Sequence, residues 1–261
     1  MEISGIKISQ NIINKLKKLP KPKKILAAIL VGKNQASESF LRQKEKVAKR
    51  LRIGFKIYRF PQKIKSNVLK QEISKIAKTD SVGGIIVQLP LPKHLDRKSI
   101  LNSIPENLDI ERIFTPPAVG VVKEIIKLKK IKLSKSKVAV VGLGFLVGKP
   151  VADWLKGECR KLYLLNKGSD FKILKNADLV ISGVGKAGLI KTKILKKNAV
   201  IIDFGCSFQN GKIKGDFDAF EFKNLSYTPT PGGTGPILVA KLFENFYLLN
   251  IYRVKGKKPK F

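Results

Sequence analysis

At 261 residues with 43% hydrophobic side chains, the chain is long enough for one large or two medium domains with a substantial core. No apolar run reaches the length of a membrane span, and the first twenty residues read as lacking a signal peptide. Fifty-three Lys and Arg oppose 19 Asp and Glu, a net charge of +34 that would favour polyanions, yet only eight of the basic residues are arginine.

The spread of those lysines over every segment, with few aromatics between them, reads as a lysine-biased composition more than as a nucleic-acid surface. Cys159 and Cys206 offer neither a disulfide framework nor metal-ligand spacing, which suits a reducing cytoplasm.

Taken in order, Ser9 to Leu19 predicts a helix ended by Pro20 and Pro22, and Ile25–Val31 a buried strand. Gly32-Lys33-Asn34 reads as a turn, with Ser37 as N-cap of a helix reaching about Leu51. Ser37, Phe40, Gln43 or Lys44, and Val47 recur at helical spacing, and Phe40 and Lys44 point the same way. A lysine beside an aromatic ring at a strand-to-helix junction suits a small-molecule site, and it equally describes an ordinary basic amphipathic helix. Phe55–Phe60 reads as a strand and Val68 to Lys78 as a helix with Val68, Ile73, Ile76 and Ala77 along one face. Val82 to Gln88 reads as a strand stopped by Leu89-Pro90-Leu91-Pro92. Alternating strands and helices predict a parallel-sheet domain, with Gln88 and the Val31–Asn34 turn at the carboxyl ends of the strands, where such sheets take ligands. A short helix over Ser99–Ser103 leads to Asp109. Thr115 reads as a cap with Pro116 at the first position of a helix, about Pro117 to Leu128, that crosses between two domains.

The second domain opens on the strand Lys137–Val141. Gly142, Gly144 and Gly148 then form G-x-G-x-x-x-G between that strand and a helix of about Val151 to Cys159. Glycines there let the backbone approach a pyrophosphate at the helix's amide end; a plain tight turn is the alternative. Leu162–Leu165 is a further strand, followed by Asn166-Lys167-Gly168 with no acid for a ribose diol, and Lys167 could instead accept a 2′-phosphate. Asp178–Ser182, ending at Gly183, and Ala199–Asp203 are two more strands, and Asp203 either holds a loop or touches ligand. Lys214-Gly215-Asp216 reads as a turn and Leu225–Tyr227 as a short last strand. Three prolines and three glycines crowd the loop Thr228-Pro229-Thr230-Pro231-Gly232-Gly233-Thr234-Gly235-Pro236, before a closing apolar helix of about Pro236 to Leu249 that packs back on the first domain.

Those pieces, in this order, resemble the methylenetetrahydrofolate dehydrogenase/cyclohydrolase family. The match runs through Ala36-Ser37-Glu38-Ser39-Phe40 with Lys44, Gln88-Leu89-Pro90-Leu91-Pro92, Gly142 to Pro150, Gly183 to Lys186, Val200 to Gly205 and the Thr228–Pro236 loop, over about residues 5 to 250. The glutamine–leucine–proline run and the proline–glycine loop together are its most specific parts.

The resemblance implies two three-layer α/β domains, the C-terminal one Rossmann-like, with a folate cleft between them. The expected division is 1–115 folate-binding and catalytic, 116–235 dinucleotide-binding, 236–250 a returning helix, and 251–261 a basic tail. It further implies oxidation of 5,10-methylenetetrahydrofolate with NADP, with NAD as the alternative, hydrolysis of the methenyl cation to 10-formyltetrahydrofolate, and a homodimer. By position, Lys44 would be the catalytic lysine, Gln88 its orienting partner, and Asp109 the acid that grips the pterin. Phe40, Ser37, Pro231, Gly232 and Gly233 would meet substrate. Gly142, Leu143, Gly144, Gly148, Asn166, Lys167, Gly183 and Thr234 would meet the cofactor. No metal, specific nucleic acid or membrane is implied.

The chain departs from the family pattern at three places. Phe40 replaces a tyrosine, which leaves the cyclohydrolase step open and motivates a dehydrogenase-only or degenerate member as the rival reading. Only five residues separate Asp109 from Thr115, where the family carries a longer segment. Leu143-Gly144 and Asn166-Lys167 stand where an arginine–serine and a histidine–serine pair are usual, which bears on cofactor choice. A polyanion-binding protein on a dinucleotide fold, motivated by the charge, is the rival from another class.

Overall fold

The computed structural model describes residues 1–112, 114–209, 211–219 and 224–252, so the basic tail predicted over 251–261 lies almost wholly outside the described residues. The chain divides into two compact units. One comprises Gln10–Pro116 with the chain from Val239 onward, and the other Met1–Ser9 with Pro117–Leu238. The first nine residues group with the Pro117–Leu238 half. They do so because Ile3 N–H donates to Tyr227 O (2.7 Å) and Gly5 N–H to Gly232 O (2.9 Å).

Helix α1 (Gly5–Leu16) begins four residues before the predicted start. Ser9 fails to start it because its hydroxyl bonds back to Ile6 O (2.9 Å), a mid-helix contact. β1 (Ile25–Val31), α2 (Gln35–Leu51), β2 (Phe55–Phe60), α3 (Ser66–Ala77), β3 (Val82–Val87) and α4 (Arg97–Asn102) follow. The strands form a parallel sheet in the order β2-β1-β3. Central β1 is buried from Leu26 to Val31, which is why its sequence runs apolar without alternation. On α3 the buried face is Leu69, Ile73 and Ile76, so the predicted face holds at Ile73 and Ile76 and fails at Val68, which lies 44% exposed and gives its place to Leu69. Asp96 caps α4 by accepting from Lys98 N–H, which sets its start two residues before Ser99.

The other unit holds α5 (Pro117–Lys129), β4 (Lys137–Val141), α6 (Gly148–Leu155), β5 (Lys161–Leu165), β6 (Leu179–Ser182), β7 (Val200–Asp203), β8 (Ser207–Gln209), β9 (Lys212–Lys214) and β10 (Ser226–Tyr227). α5 starts with Pro117, not Pro116, at its first helical position. The five long-range strands make a parallel sheet in the order β10-β7-β6-β4-β5. Strand order therefore reverses between β4 and β6, and the crevice beyond their carboxyl ends is where a doubly wound sheet takes its ligand. Ala139, Val141, Val180, Ile201 and Tyr227 fill the core on this sheet, with the Phe217 ring 5.3 Å from that of Tyr227. β8 and β9 form a small hairpin that the sequence reading did not anticipate.

The closing helix α7 (Thr234–Tyr252) is longer than predicted at both ends. In the Gln10–Pro116 unit its Asn245 donates to Ile110 O (2.8 Å) and Thr115 O (3.0 Å), and Asn250 donates to Gly83 O (3.1 Å). A Cβ on Gly84 would press to 2.7 Å from Ile110 and 3.0 Å from Phe246, so the glycines of β3 admit this helix.

Candidate active site

The buried stripe of α2 is Ser37, Leu41, Lys44, Ala48 and Leu51, a three-four spacing that places a lysine where helical packing calls for an apolar residue. Asn34, not Ser37, caps the helix: its Oδ1 accepts from Ser37 N–H at 2.9 Å. The Ser37 hydroxyl is spent instead on Leu89 O (3.2 Å), fastening the helix start to the Leu89-Pro90 turn, whose peptide bond is cis. Gln43 and Val47, grouped with Lys44 in the sequence reading, lie outside the buried stripe.

Lys44 is 3% exposed. Its Nζ donates to Gln88 Oε1 at 2.9 Å and stands 5.0 Å from the centre of the half-buried Phe40 ring. Gln88 in turn donates through Nε2 to Leu89 O (2.8 Å), which fixes the amide so that its oxygen faces Lys44. Gln88 N–H continues the ladder beyond β3 by donating to Ile29 O (2.8 Å). Burial pulls the Lys44 ammonium from an ordinary 10.5 down to about 8, against the attraction of Glu111. The site thus holds an amine poised near neutrality, oriented by one amide and backed by one ring.

Asp109 is buried in the same unit and forms a parallel bridge with Ile85 of β3. Its Oδ2 takes the Arg112 Nε (2.5 Å) and its Oδ1 the Glu111 N–H (3.1 Å). Arg112 is held further by Asn102 Oδ1 (3.0 Å) and Leu101 O (2.7 Å). Burial raises the Glu111 carboxyl above its ordinary range, with Lys44 opposing the rise. Sequence reasoning passed over Glu111; the available signal was its alternation with Asp109 across Ile110.

In the Met1–Ser9 and Pro117–Leu238 unit, the loop from Gly142 to Gly148 leaves β4 at the reversal of strand order. Gly142 takes φ 82°, and a Cβ on Gly148 would collide with Gly142 O, so the turn closes only with both glycines. Above Gly144 the space is open, the nearest atom to a Cβ there being Gly183 O at 3.9 Å. That is the cradle a pyrophosphate requires, and α6 starts at Gly148 rather than Val151, bringing its amide end to the loop. Asn166 Oδ1 accepts from Leu143 N–H (3.1 Å), bracing the loop from the end of β5, while Lys167 is exposed.

Two buried carboxylates fix the neighbouring turns. Asp216 accepts from Ser182 Oγ (2.6 Å), Val184 N–H (2.7 Å) and Lys186 N–H (2.7 Å), holding the loop that starts at Gly183. It belongs to a brace, not to a simple turn. Asp203 accepts from Gly205 N–H (2.7 Å) and Phe217 N–H (2.9 Å), which decides its open alternative in favour of loop-holding; burial raises it to about 7. Thr234 Oγ1 donates to Asp203 O (2.8 Å), Gly233 is buried, and Pro231 is exposed after a cis peptide bond. The structure brings Lys44, Gln88, Phe40, Ser37 and Asp109 together in one unit, and the glycine loop, Asn166, Lys167, Gly183 and the 231–234 turn in the other.

A doubly wound sheet with a glycine cradle at its switch point, accompanied by a second α/β unit holding a buried lysine, defines a nucleotide-dependent α/β enzyme. The chain belongs to the tetrahydrofolate dehydrogenase/cyclohydrolase family: residues 3–111 match its catalytic domain and residues 115–253 its NAD(P)-binding domain. It is 34% identical to the bifunctional protein FolD of Mycoplasmopsis synoviae over 96% of this chain and 99% of that one. FolD of Staphylococcus aureus is 33% identical over 85% of each chain. Among solved structures, the bifunctional methylenetetrahydrofolate dehydrogenase/cyclohydrolase FolD of Campylobacter jejuni superposes with a TM-score of 0.90 at 30% identity, covering 97% of this chain and 99% of that one.

Proposed function

We propose that this chain oxidises 5,10-methylenetetrahydrofolate with NADP and hydrolyses the resulting methenyl cation to 10-formyltetrahydrofolate, with Lys44 as the group that handles the proton in the hydrolytic step. The observation that carries the reading is the buried Lys44–Gln88 pair, with the lysine lowered to about 8. A lysine in that range is partly neutral at working pH, so it accepts a proton from water attacking the cation and returns it later. Gln88 holds the amine in one orientation, and the Phe40 ring gives the aminobenzoyl part of a folate a surface to stack on. Asp109 would hold the pterin's donors, Ser37 fixes the Leu89-Pro90 wall, and Pro231, Gly232 and Gly233 would contact substrate.

NADP, when bound, supplies the hydride acceptor. Gly142, Leu143, Gly144, Gly148, Gly183, Asn166 and Thr234 would seat it, and Lys167 would meet its 2′-phosphate. Hydride transfer asks the protein mainly for alignment. NADP over NAD is supported by that lysine and by the absence of an acid at 166–167, and comparing kcat/KM for the two cofactors tests it. Free cysteines at 159 and 206 support a cytoplasmic setting, and a homodimer, expected from the family, is tested by sedimentation.

Lys44→Met should abolish hydrolysis of methenyltetrahydrofolate while leaving a larger fraction of NADPH formation; equal, mild losses in both would overturn the role of Lys44. A second reading, a dehydrogenase lacking the hydrolytic step, is favoured by Phe40, which brings no hydroxyl to Lys44. Wild-type NADPH formation with hydrolysis no faster than buffer would establish it. Under the bifunctional reading, Phe40→Tyr preserves or raises hydrolysis, and an unfolded variant would mark the ring as core instead.

A further inference from the structure

The chain that leaves β6 lies directly against the glycine loop. A Cβ on Gly142 would press to 2.7 Å from Val184 Cγ2 and 3.2 Å from Gly183 O, and one on Gly183 to 3.0 Å from Val147 Cγ1. Gly183 and Val184 therefore pack on both ends of the 142–148 loop, and Val184 remains 44% exposed beside it. Residues 183–186 belong to neither helix nor strand. Gly183 N–H donates to Val141 O (3.0 Å), and the N–H groups of Val184 and Lys186 both donate to Asp216, each at 2.7 Å. We infer that Asp216 is a positioning residue for the cofactor: its carboxylate holds Gly183 and Val184 against the glycine loop, and so keeps that wall of the NADP cradle in place.

With the 142–148 loop read as the NADP cradle, on which this inference rests, Asp216 supplies the group that shapes its neighbour from inside. Asp216 is fully buried, as is Ser182, whose hydroxyl donates (2.6 Å) to the same Oδ2 that takes Val184 N–H. It acts through the backbone of 183–186 and not on the cofactor. Gly205 backs the carboxylate so closely that a Cβ there would come within 2.2 Å of Asp216 Cγ, which leaves a longer side chain no room. Its two oxygens meet three donors, Lys186 N–H on Oδ1 and the Val184 and Ser182 groups on Oδ2. A carboxylate accepts on both oxygens, whereas a carboxamide accepts on one and presents N–H groups at the other. Asp216→Asn is therefore nearly isosteric, yet it must set an N–H against either Lys186 or the Val184–Ser182 pair, and the loop must shift. Ser182→Ala removes one donor and leaves both backbone amides their acceptor, a smaller disturbance of the same brace.

The test is isothermal titration of NADP into the full chain, alongside the two activities. Asp216→Asn should weaken NADP about tenfold or more and raise the KM for NADP in step, with kcat for NADPH formation much less changed. Methenyl hydrolysis, which consumes no NADP, should stay within about twofold of wild type, a selectivity that a merely structural role would not produce. Ser182→Ala should weaken NADP roughly threefold and leave hydrolysis alone. Unchanged NADP affinity in folded Asp216→Asn overturns the inference, as do equal losses in binding and hydrolysis. Should Asp216→Asn fail to fold, Ser182→Ala decides, and unchanged affinity there overturns it. A wild type that binds NADP but hydrolyses nothing would overturn the bifunctional reading instead, and the comparison of NADP affinities would still decide the role of Asp216.

Discussion

Lys44 shows at the scale of one residue how function and stability oppose each other. At neutral pH the folded protein keeps a charged amine in a place that packing would give to leucine or methionine. A folded-state value near 8 against an ordinary 10.5 amounts to a destabilisation of roughly 3 kcal/mol, an order-of-magnitude figure. The Gln88 hydrogen bond, worth about 1 kcal/mol, offsets part of it. Lys44→Met should therefore raise stability at pH 7 by about 2 kcal/mol, measured by denaturant unfolding, while it destroys hydrolysis. The sign with pH follows from linkage. A lysine depressed on folding binds more protons in the unfolded chain between about 8 and 10.5, so wild-type stability rises over that window. The advantage of the methionine variant should shrink over the same window. A variant less stable than wild type at pH 7 would mean that Lys44 is held by more than Gln88.

Among the elements, the glycine loop between β4 and α6 allows a separation of folding from binding. A methyl on Gly148 meets backbone, and Gly142 O cannot yield without opening the turn. Gly148→Ala should thus cost roughly 2–4 kcal/mol of stability. A methyl on Gly144 meets open space, so Gly144→Ala should leave unfolding within about 0.5 kcal/mol of wild type yet weaken NADP at least tenfold in a fluorescence titration. Unchanged cofactor affinity in a folded Gly144→Ala protein would place the pyrophosphate elsewhere. This loop was legible in the sequence because its glycines, the preceding apolar strand and the following helix are contiguous. The same holds for β1, β3 and β4, whose apolar runs reflect burial on both faces. Features made by distant residues left no such mark. Asp216 braces the 183–186 loop across some thirty positions, and Ile3 finds Tyr227 across the whole chain. The β8–β9 hairpin was missed for another reason. It is three residues a side, lysine-rich, and leaves Phe208 49% exposed, so neither periodicity nor burial marks it. The face of α2 was read one residue out of phase at Phe40 because two of its five buried positions are polar.

Across the whole molecule, the charge of +34 separates composition from design. Among the described residues Lys44 is the one buried lysine, whereas the remaining lysines lie at partly or fully exposed positions throughout both units. The described ion pairs, such as Lys49–Glu45 and Lys75–Glu72, are mostly local pairs on solvated helix faces and contribute little each. Nineteen acids cannot pair with 53 cations, so the folded state carries net repulsion that compaction strengthens. Screening relieves it: the Debye length falls from about 30 Å at 0.01 M to about 8 Å at 0.15 M ionic strength. The melting temperature should accordingly rise between those two conditions, opposite to a protein held together by surface ion pairs. The same field predicts attachment to duplex DNA at low salt, with log affinity falling linearly in log salt and no binding left at physiological ionic strength. Lys44 should be indifferent to that change, since a buried amine is screened little, and its titration midpoint should hold across the salt range. DNA binding that survives 0.15 M salt would favour the polyanion reading of the chain. A Lys44 midpoint that drifts with salt as surface lysines do would show that the amine lies open to solvent and that its environment is not a catalytic one.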